Sequence, residues 1–297
     1  MPPHLVILGQ GYSASAVVPL ARAQGWHVTG TKRVPEEGSG LIAFDEAGSA
    51  LGEATHLMIS APPSESGDPA FLRYAALLSK SPKLRWIGYY STTGVYGDRQ
   101  GAHVDETTPV SPGQTRSRAR VEAEQAWQEL ARRKSIACDI MRLGGIYGPG
   151  RSALDTLRSG KARLIDAPDH LFSRIHRDDI AEGTMAAIST ASGCRILHFV
   201  DDTPSPQAAV FEEAARLGKF ALPPRLSLDE AWESLSPMAR SFWSERRVVE
   251  SRLTQQSLDR RWRFPSYREG LAAILAAEQA PNQVAPEAAL KQAEPKP

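Results

Sequence analysis

Leu5-Val6-Ile7-Leu8 runs directly into Gly9-Gln10-Gly11-Tyr12-Ser13-Ala14, and the reading of this junction decides the fold. Four apolar residues, two of them β-branched, suit a central parallel strand buried on both faces, and Ala14 to Gln24 predicts a helix. Each small residue has a physical task. Gly9 permits a tight turn, Gly11 lets the backbone approach a pyrophosphate, and Ala14 keeps the helix close to the sheet. The free amides and the positive end of that helix then face the phosphates. Two readings of the turn stand, a dinucleotide site and a glycine turn kept for steric reasons. Trp26-His27-Val28-Thr29 closes a strand-helix-strand unit within about 30 residues, and that context favours the dinucleotide.

The second strand ends in Gly30-Thr31-Lys32-Arg33. Sites that prefer NAD usually carry Asp or Glu about 20 residues past the glycine motif, where the carboxylate accepts ribose hydroxyls. No acid stands there. A 2'-phosphate would find Lys32, Arg33 and a hydroxyl, and charge-assisted bonds of about 1.5–3 kcal/mol each favour NADP over NAD. The other reading of Lys32 and Arg33 is a solvated basic turn.

The totals exclude several classes. Thirty-five Lys and Arg face 34 Asp and Glu in 297 residues, so no global field draws the chain to nucleic acid or to an anionic membrane. Cys138 and Cys194 lie far apart without metal-ligand spacing, which predicts no metal site and a reducing compartment. Met1-Pro2-Pro3-His4 lacks a signal-peptide pattern and no run is long enough to span a bilayer, so the expected location is cytoplasmic.

Beyond the first unit, strands are expected at Leu41–Asp45, Thr55–Ser60, Leu84–Tyr90 and Ala137–Leu143, with a helix over Phe71–Leu78. Ala119, Ala123, Trp127 and Leu130 form an apolar stripe at helical spacing. This alternation predicts an α/β fold, a Rossmann-type doubly wound parallel sheet with ligands beyond the carboxyl ends of its strands. After Gly148 the pattern loosens into short helices near Ala153–Arg158, Gln207–Leu217 and Ser266–Glu278 and a strand near Ile196–Val200. The expected division is a dinucleotide-binding domain over 1–150, rejoined by 177–200, a smaller α/β substrate lobe over 151–280 and a disordered tail over 281–297.

Several segments resemble the extended short-chain dehydrogenase/reductases of the NAD-dependent epimerase/dehydratase type. They are the glycine motif, Ser91-Thr92-Thr93-Gly94-Val95-Tyr96-Gly97, Asp105-Glu106-Thr107-Thr108-Pro109, and Met141 to Gly150. Ile175-His176-Arg177-Asp178-Asp179-Ile180-Ala181 and Phe264 to Leu271 continue the match over nearly the whole chain. The resemblance implies that Gly9, Gly11, Tyr12, Ser13, Lys32, Arg33, Asp45 and Ala61 hold the cofactor, with Asp45 near the adenine. It also places Thr92 beside the reacting oxygen, against the plainer reading of Thr92 as a strand-end cap. Thr93 and Gly94 stand where the family's dehydratases carry acids, so dehydration is unsupported.

The helix that follows departs from the family. Arg116 occupies the position of the expected tyrosine and Arg120 that of the expected lysine four residues on. A tyrosine beside an ammonium can trade protons near neutrality; an arginine, with a pKa above about 12, cannot. Arg120 can still bond ribose hydroxyls, and Arg116 can polarise a carbonyl or clamp an anionic substrate; a solvated helix face is the alternative for both. Eight arginines between Arg240 and Arg268 offer a second basic concentration for a diphosphate or for solvent. The expectation is an atypical NADP(H)-dependent oxidoreductase or epimerase acting on a small polar substrate such as a sugar or nucleotide sugar, with assembly as a homodimer left open. Its rival is a catalytically silent NADP(H) sensor.

Overall fold

Along the first strand, Leu5 and Ile7 pack on one face of a sheet with Val17, Ala21, Ile180 and Met185, while Val6 and Leu8 pack on the other with Leu51, Tyr74 and Trp127. A strand covered on both faces requires helices on both. The computed structural model describes residues 2–280. The expected tail over 281–297 lies outside the described residues.

The sheet has seven strands: β1 (His4–Leu8), β2 (His27–Lys32), β3 (Ile42–Ala43), β4 (His56–Ile59), β5 (Trp86–Thr92), β6 (Ala137–Leu143) and β7 (Cys194–Phe199). Their order is β7-β6-β5-β4-β1-β2-β3, and every pairing is parallel. The chain reverses direction across the sheet between β1 and β4, and a crevice opens at the carboxyl ends beside such a switch.

Helices α1 (Val17–Ala23), α2 (Gly48–Glu53), α3 (Pro69–Lys80), α4 (Thr115–Lys134), α5 (Ala153–Arg158) and α6 (Arg177–Ser189) follow in chain order. α1 and α6 cover one face of the sheet; α2, α3 and α4 cover the other. The remaining helices are α7 (Gln207–Gly218), α8 (Leu228–Trp232), α9 (Pro237–Trp243), α10 (Arg252–Ser257) and α11 (Tyr267–Gln279). α5, α7 and α11 share a separate core built on Leu154, Val210, Ala214, Tyr267 and Leu271.

Three local expectations are corrected. The segment expected as a helix from Ala14 begins with a 3-10 turn over Ala14–Ala16, and the α-helix proper starts at Val17. Pro19 falls in its first turn, where a missing N–H costs nothing. The strand expected over Leu41–Asp45 shrinks to two residues at the sheet edge, followed by a 3-10 turn over Phe44–Glu46. α3 begins earlier than its apolar pattern, because the Asp68 carboxylate accepts the Ala70 and Phe71 amides at 2.8 and 3.0 Å and Pro69 opens the helix. Among the described residues, no helix is long and apolar enough to cross a membrane.

Candidate functional site

Gly9 takes φ +86°, a conformation that favours glycine, and a Cβ there would lie 2.7 Å from the Ala61 nitrogen. Ala61 follows β4 and donates its amide to the Leu8 carbonyl at 3.1 Å, so β1 and β4 are drawn tight beneath the turn. The Gly9 amide donates to Thr31 Oγ1 at 3.0 Å and the Gln10 amide to the Thr31 carbonyl at 2.7 Å. The hydroxyl expected to help hold a 2'-phosphate is turned into the protein beneath the turn. Thr31 is fully buried and anchors the turn instead. Gly11 is exposed, and the nearest atom to a Cβ placed on it is the Gly9 carbonyl oxygen at 3.9 Å. The side on which a Cβ would stand is open, while its amide donates to the Gly9 carbonyl at 2.8 Å.

Tyr12 bridges to the other side of the crevice. Its hydroxyl donates to the Pro149 carbonyl at 3.0 Å, and the guanidiniums of Arg177 and Arg151 lie 4.7 and 5.7 Å from its ring centre. Ser13 is buried and caps nothing with its side chain. Lys32, the last residue of β2, ion-pairs with Glu36 at 3.3 Å, and Arg33 beside it is exposed. Asp45 is exposed beyond β3 and pairs with Arg73 at 3.1 Å. Gly9, Gly11, Tyr12, Lys32, Arg33, Asp45 and Ala61 thus follow the carboxyl ends of β1 to β4 or close on them.

Thr92 ends β5, and its Oγ1 accepts the Gly94 amide at 3.1 Å. The cap uses a lone pair and leaves the hydroxyl hydrogen to donate elsewhere. Thr92 also lines a cavity of about 520 Å³, a volume ordinary for a small-molecule site. Leu143 at the end of β6, Ile146 and Tyr147 just beyond it, and Phe172, Phe242 and Trp243 line it with apolar surface. Arg151, Arg174, Arg247 and Glu245 supply its charges.

Arg116 and Arg120 stand apart from the cavity lining. Arg116 Nη2 donates to Ser241 Oγ at 2.6 Å, and its guanidinium lies 4.7 Å from the centre of the Phe242 ring. Gln114 adds a bond to the Ser241 carbonyl at 2.8 Å, so the start of α4 is tied to α9. Arg120 Nη1 donates to the Tyr90 carbonyl at 2.6 Å and to the Tyr89 hydroxyl at 3.2 Å. Burial pushes the Tyr89 and Tyr90 phenols far above their ordinary range and the Tyr96 phenol up to about 12. None of the three can trade protons at neutral pH.

The other proton donors that the sequence offers are also occupied. His103 is exposed and pairs with Glu250 at 2.6 Å. His176 caps α6 by accepting the Asp178 amide at 3.1 Å, and burial pushes its pKa down to about 4. Asp179, in the same motif, accepts the Arg263 and Phe264 amides at 2.7 and 3.0 Å, which ties the carboxyl-terminal segment to α6. Tyr96 is fully buried against Arg142 and His198. Arg142 in turn forks onto Glu124 at 2.7 and 3.2 Å, and Ser91 donates to the same carboxylate. No local pattern announces this buried ion pair, because Glu124 and Arg142 sit in separate elements.

Of the eight arginines between 240 and 268, Arg247 lines the cavity, and it is paired with Glu245 at 2.9 Å. Arg260 reaches Glu182 and Arg240 binds the end of α8. Arg151 and Arg174 both line the cavity without an ion-pair partner among the described residues, and Arg174, just ahead of the Ile175 motif, carries no signal of its own in the sequence. Among the described residues, no cluster of three or more His, Cys, Asp or Glu could hold a metal ion.

No family model matches the chain. Protein YeeZ of Escherichia coli strain K12 is 28% identical over 239 residues, which span 72% of this chain and 83% of that protein. A conserved protein of unknown function from Silicibacter pomeroyi DSS superposes with a TM-score of 0.85 at 37% identity, covering 93% of this chain and 99% of that one. The human epimerase family protein SDR39U1, solved with NADPH, superposes with a TM-score of 0.74 at 20% identity, over 92% and 99% of the two chains. The first superposition shows shared descent and the second shows a shared fold. The chain therefore belongs to one family with the Silicibacter protein, built on the fold of the extended short-chain dehydrogenase/reductases of the NAD-dependent epimerase/dehydratase type.

Proposed function

We propose that the chain binds NADP(H) across the Gly9–Tyr12 turn and passes hydride between the nicotinamide and a small, polar, anionic substrate held in the neighbouring cavity. The observation that carries this reading is the placement of that cavity. Thr92 of β5 and Leu143 of β6 line it, and both end strands at the edge where Gly9 follows β1. Gly9, Gly11, Tyr12, Ser13 and Ala61 would hold the pyrophosphate region, and Asp45 the adenosine side. Lys32 and Arg33 would take the 2'-phosphate, with Lys32 exchanging Glu36 for the ligand. The cofactor supplies the hydride; the chain supplies placement and a hydroxyl donor in Thr92. Arg120 would hold the β5 edge in place, and Arg116 would close α9 over the cavity.

A second reading, a catalytically silent NADP(H) sensor, draws on one observation. Both arginines that replace the expected tyrosine and lysine are engaged by protein groups, Ser241 and Phe242 for Arg116 and Tyr89 and Tyr90 for Arg120. Calorimetry with NADPH and NADH followed by a turnover screen at 340 nm separates the two. Tight NADPH binding with oxidation by any member of a carbonyl panel supports the oxidoreductase; binding without turnover supports the sensor. Failure to bind either coenzyme refutes both.

A further inference from the structure

We infer that the cavity beside Thr92 takes an aromatic carboxylate, its ring against Phe172, Phe242 and Trp243 and its charge on Arg174. The aromatic wall is preformed. Phe172 and Trp243 meet edge to face with centres 5.0 Å apart at 87°, and His170 braces both, stacked on Phe172 at 4.6 Å and against Trp243 at 4.9 Å. Phe242 is 50% exposed and held by the Arg116 guanidinium 4.7 Å from its ring centre. Leu143 and Ile146 line the same cavity. A planar apolar ring packs favourably against such a cluster of aromatic side chains.

The charge pattern selects the other end of the ligand. Three arginines line the cavity against one glutamate, and Arg247 with Glu245 forms a closed pair at 2.9 Å. Arg151 is exposed, where solvent screens it. Arg174 differs from both. Its Nη1 is saturated by the Phe172 carbonyl at 3.0 Å and by the Ser205 carbonyl and hydroxyl at 2.9 Å, while Nε and Nη2 hold no bond among the described residues. It has no ion-pair partner there either. Burial presses its pKa down to about 10 against the opposing pull of the nearby Asp201 carboxyl.

Gln207 lines the same cavity, its Oε1 accepting the Ile165 amide at 3.1 Å, which leaves its NH₂ donors free of that bond. One fork and one amide suit a carboxylate.

The inference rests on the proposed function only in making this molecule the hydride partner; its binding is measurable apart from the coenzyme. The test is calorimetry on the full chain, with and without saturating NADP⁺, using 2-naphthoate, uncharged 2-naphthamide and UDP-glucose as probes. Naphthoate is expected to bind at least tenfold more tightly than either of the others. Arg174→Gln should weaken naphthoate at least tenfold while NADPH affinity stays within twofold. Phe242→Ala, at a half-exposed side chain that leaves the fold intact, should weaken it three- to tenfold. Equal affinity for naphthoate and naphthamide overturns the inference, as does tighter binding of UDP-glucose or naphthoate affinity unchanged in both variants. Absence of naphthoate binding to protein that binds NADPH refutes this inference alone; naphthoate binding without NADPH binding refutes the proposed function and leaves the site standing.

Discussion

Gly9→Ala and Gly11→Ala separate what the glycine turn does for the fold from what it does for a ligand. At position 9 the new Cβ would sit 2.7 Å from the Ala61 nitrogen and 2.9 Å from its Cα and Cβ, at φ +86°. The left-handed backbone costs about 1–2 kcal/mol for alanine. Forcing the Ala61 backbone aside costs about 1–3 kcal/mol more. A chain of this length has an unfolding entropy of about 0.6 kcal/mol/K, so the combined 2–5 kcal/mol lowers Tm by about 3–8 °C. At position 11 the nearest atom is 3.9 Å away, and the fold should not register the change. The expected result is a Tm within about 1 °C of wild type together with at least a tenfold loss of NADPH affinity, about 1.4 kcal/mol. Differential scanning fluorimetry and calorimetry on the two variants give both numbers. If Gly11→Ala binds NADPH as the wild type does, no pyrophosphate approaches this backbone and the cofactor assignment is wrong.

Three further outcomes follow from individual side chains. The Lys32→Ala/Arg33→Ala double variant should weaken NADPH at least tenfold in calorimetry and leave NADH within about threefold, since only NADPH carries the 2'-phosphate; equal losses would remove the basis for preferring NADP. Arg142→Ala leaves Glu124 buried without its counterion, 2.7 Å from where the guanidinium was, and should cost about 3–5 kcal/mol in urea unfolding, most of it recovered by adding Glu124→Gln. Burial pushes the Asp201 carboxyl up to about 8. Between about pH 4 and pH 8 the folded chain keeps a proton that the unfolded chain has released, so stability falls as pH rises, by up to about 1.4 kcal/mol per pH unit. Asp201→Asn should flatten that slope in thermal melts at pH 5, 6.5 and 8.

The sheet was legible in the sequence because its determinants are local. A short apolar run such as Leu5–Leu8 declares burial on both faces, and a glycine turn is fixed by the backbone it must adopt. Elements whose determinants are tertiary were not legible in the same way. β3 loses three of its five expected residues because an edge strand has one neighbour to pair with. The Trp86 indole and the Arg195 guanidinium both bind the fully buried Asp139, at 2.7 Å in each case, an arrangement spread over three strands that no spacing encodes. The cavity suffers likewise. Its walls come from β6, the segment before α6, the start of α7 and α9, so Phe172, Arg174, Gln207 and Trp243 converge only after folding.

Arg116 and Arg120 show why a motif's position and its chemistry must be read separately. The helix that carries them is kept, with Ala123, Trp127 and Leu130 buried against the sheet, so the backbone frame of the family survives. At the two positions where the resemblance leads one to expect tyrosine and lysine, the chain carries guanidiniums. A guanidinium at 120 holds the Tyr90 carbonyl and the Tyr89 hydroxyl at once, a fork that a single ammonium does not reproduce. A guanidinium at 116 reaches α9 and lies over Phe242, so it joins the start of α4 to α9. Both residues favour geometry over titration. On the proposed reading, the proton that accompanies hydride would come from water, from the substrate itself or through the Thr92 hydroxyl, because burial holds the neighbouring phenols too far above neutrality to supply it.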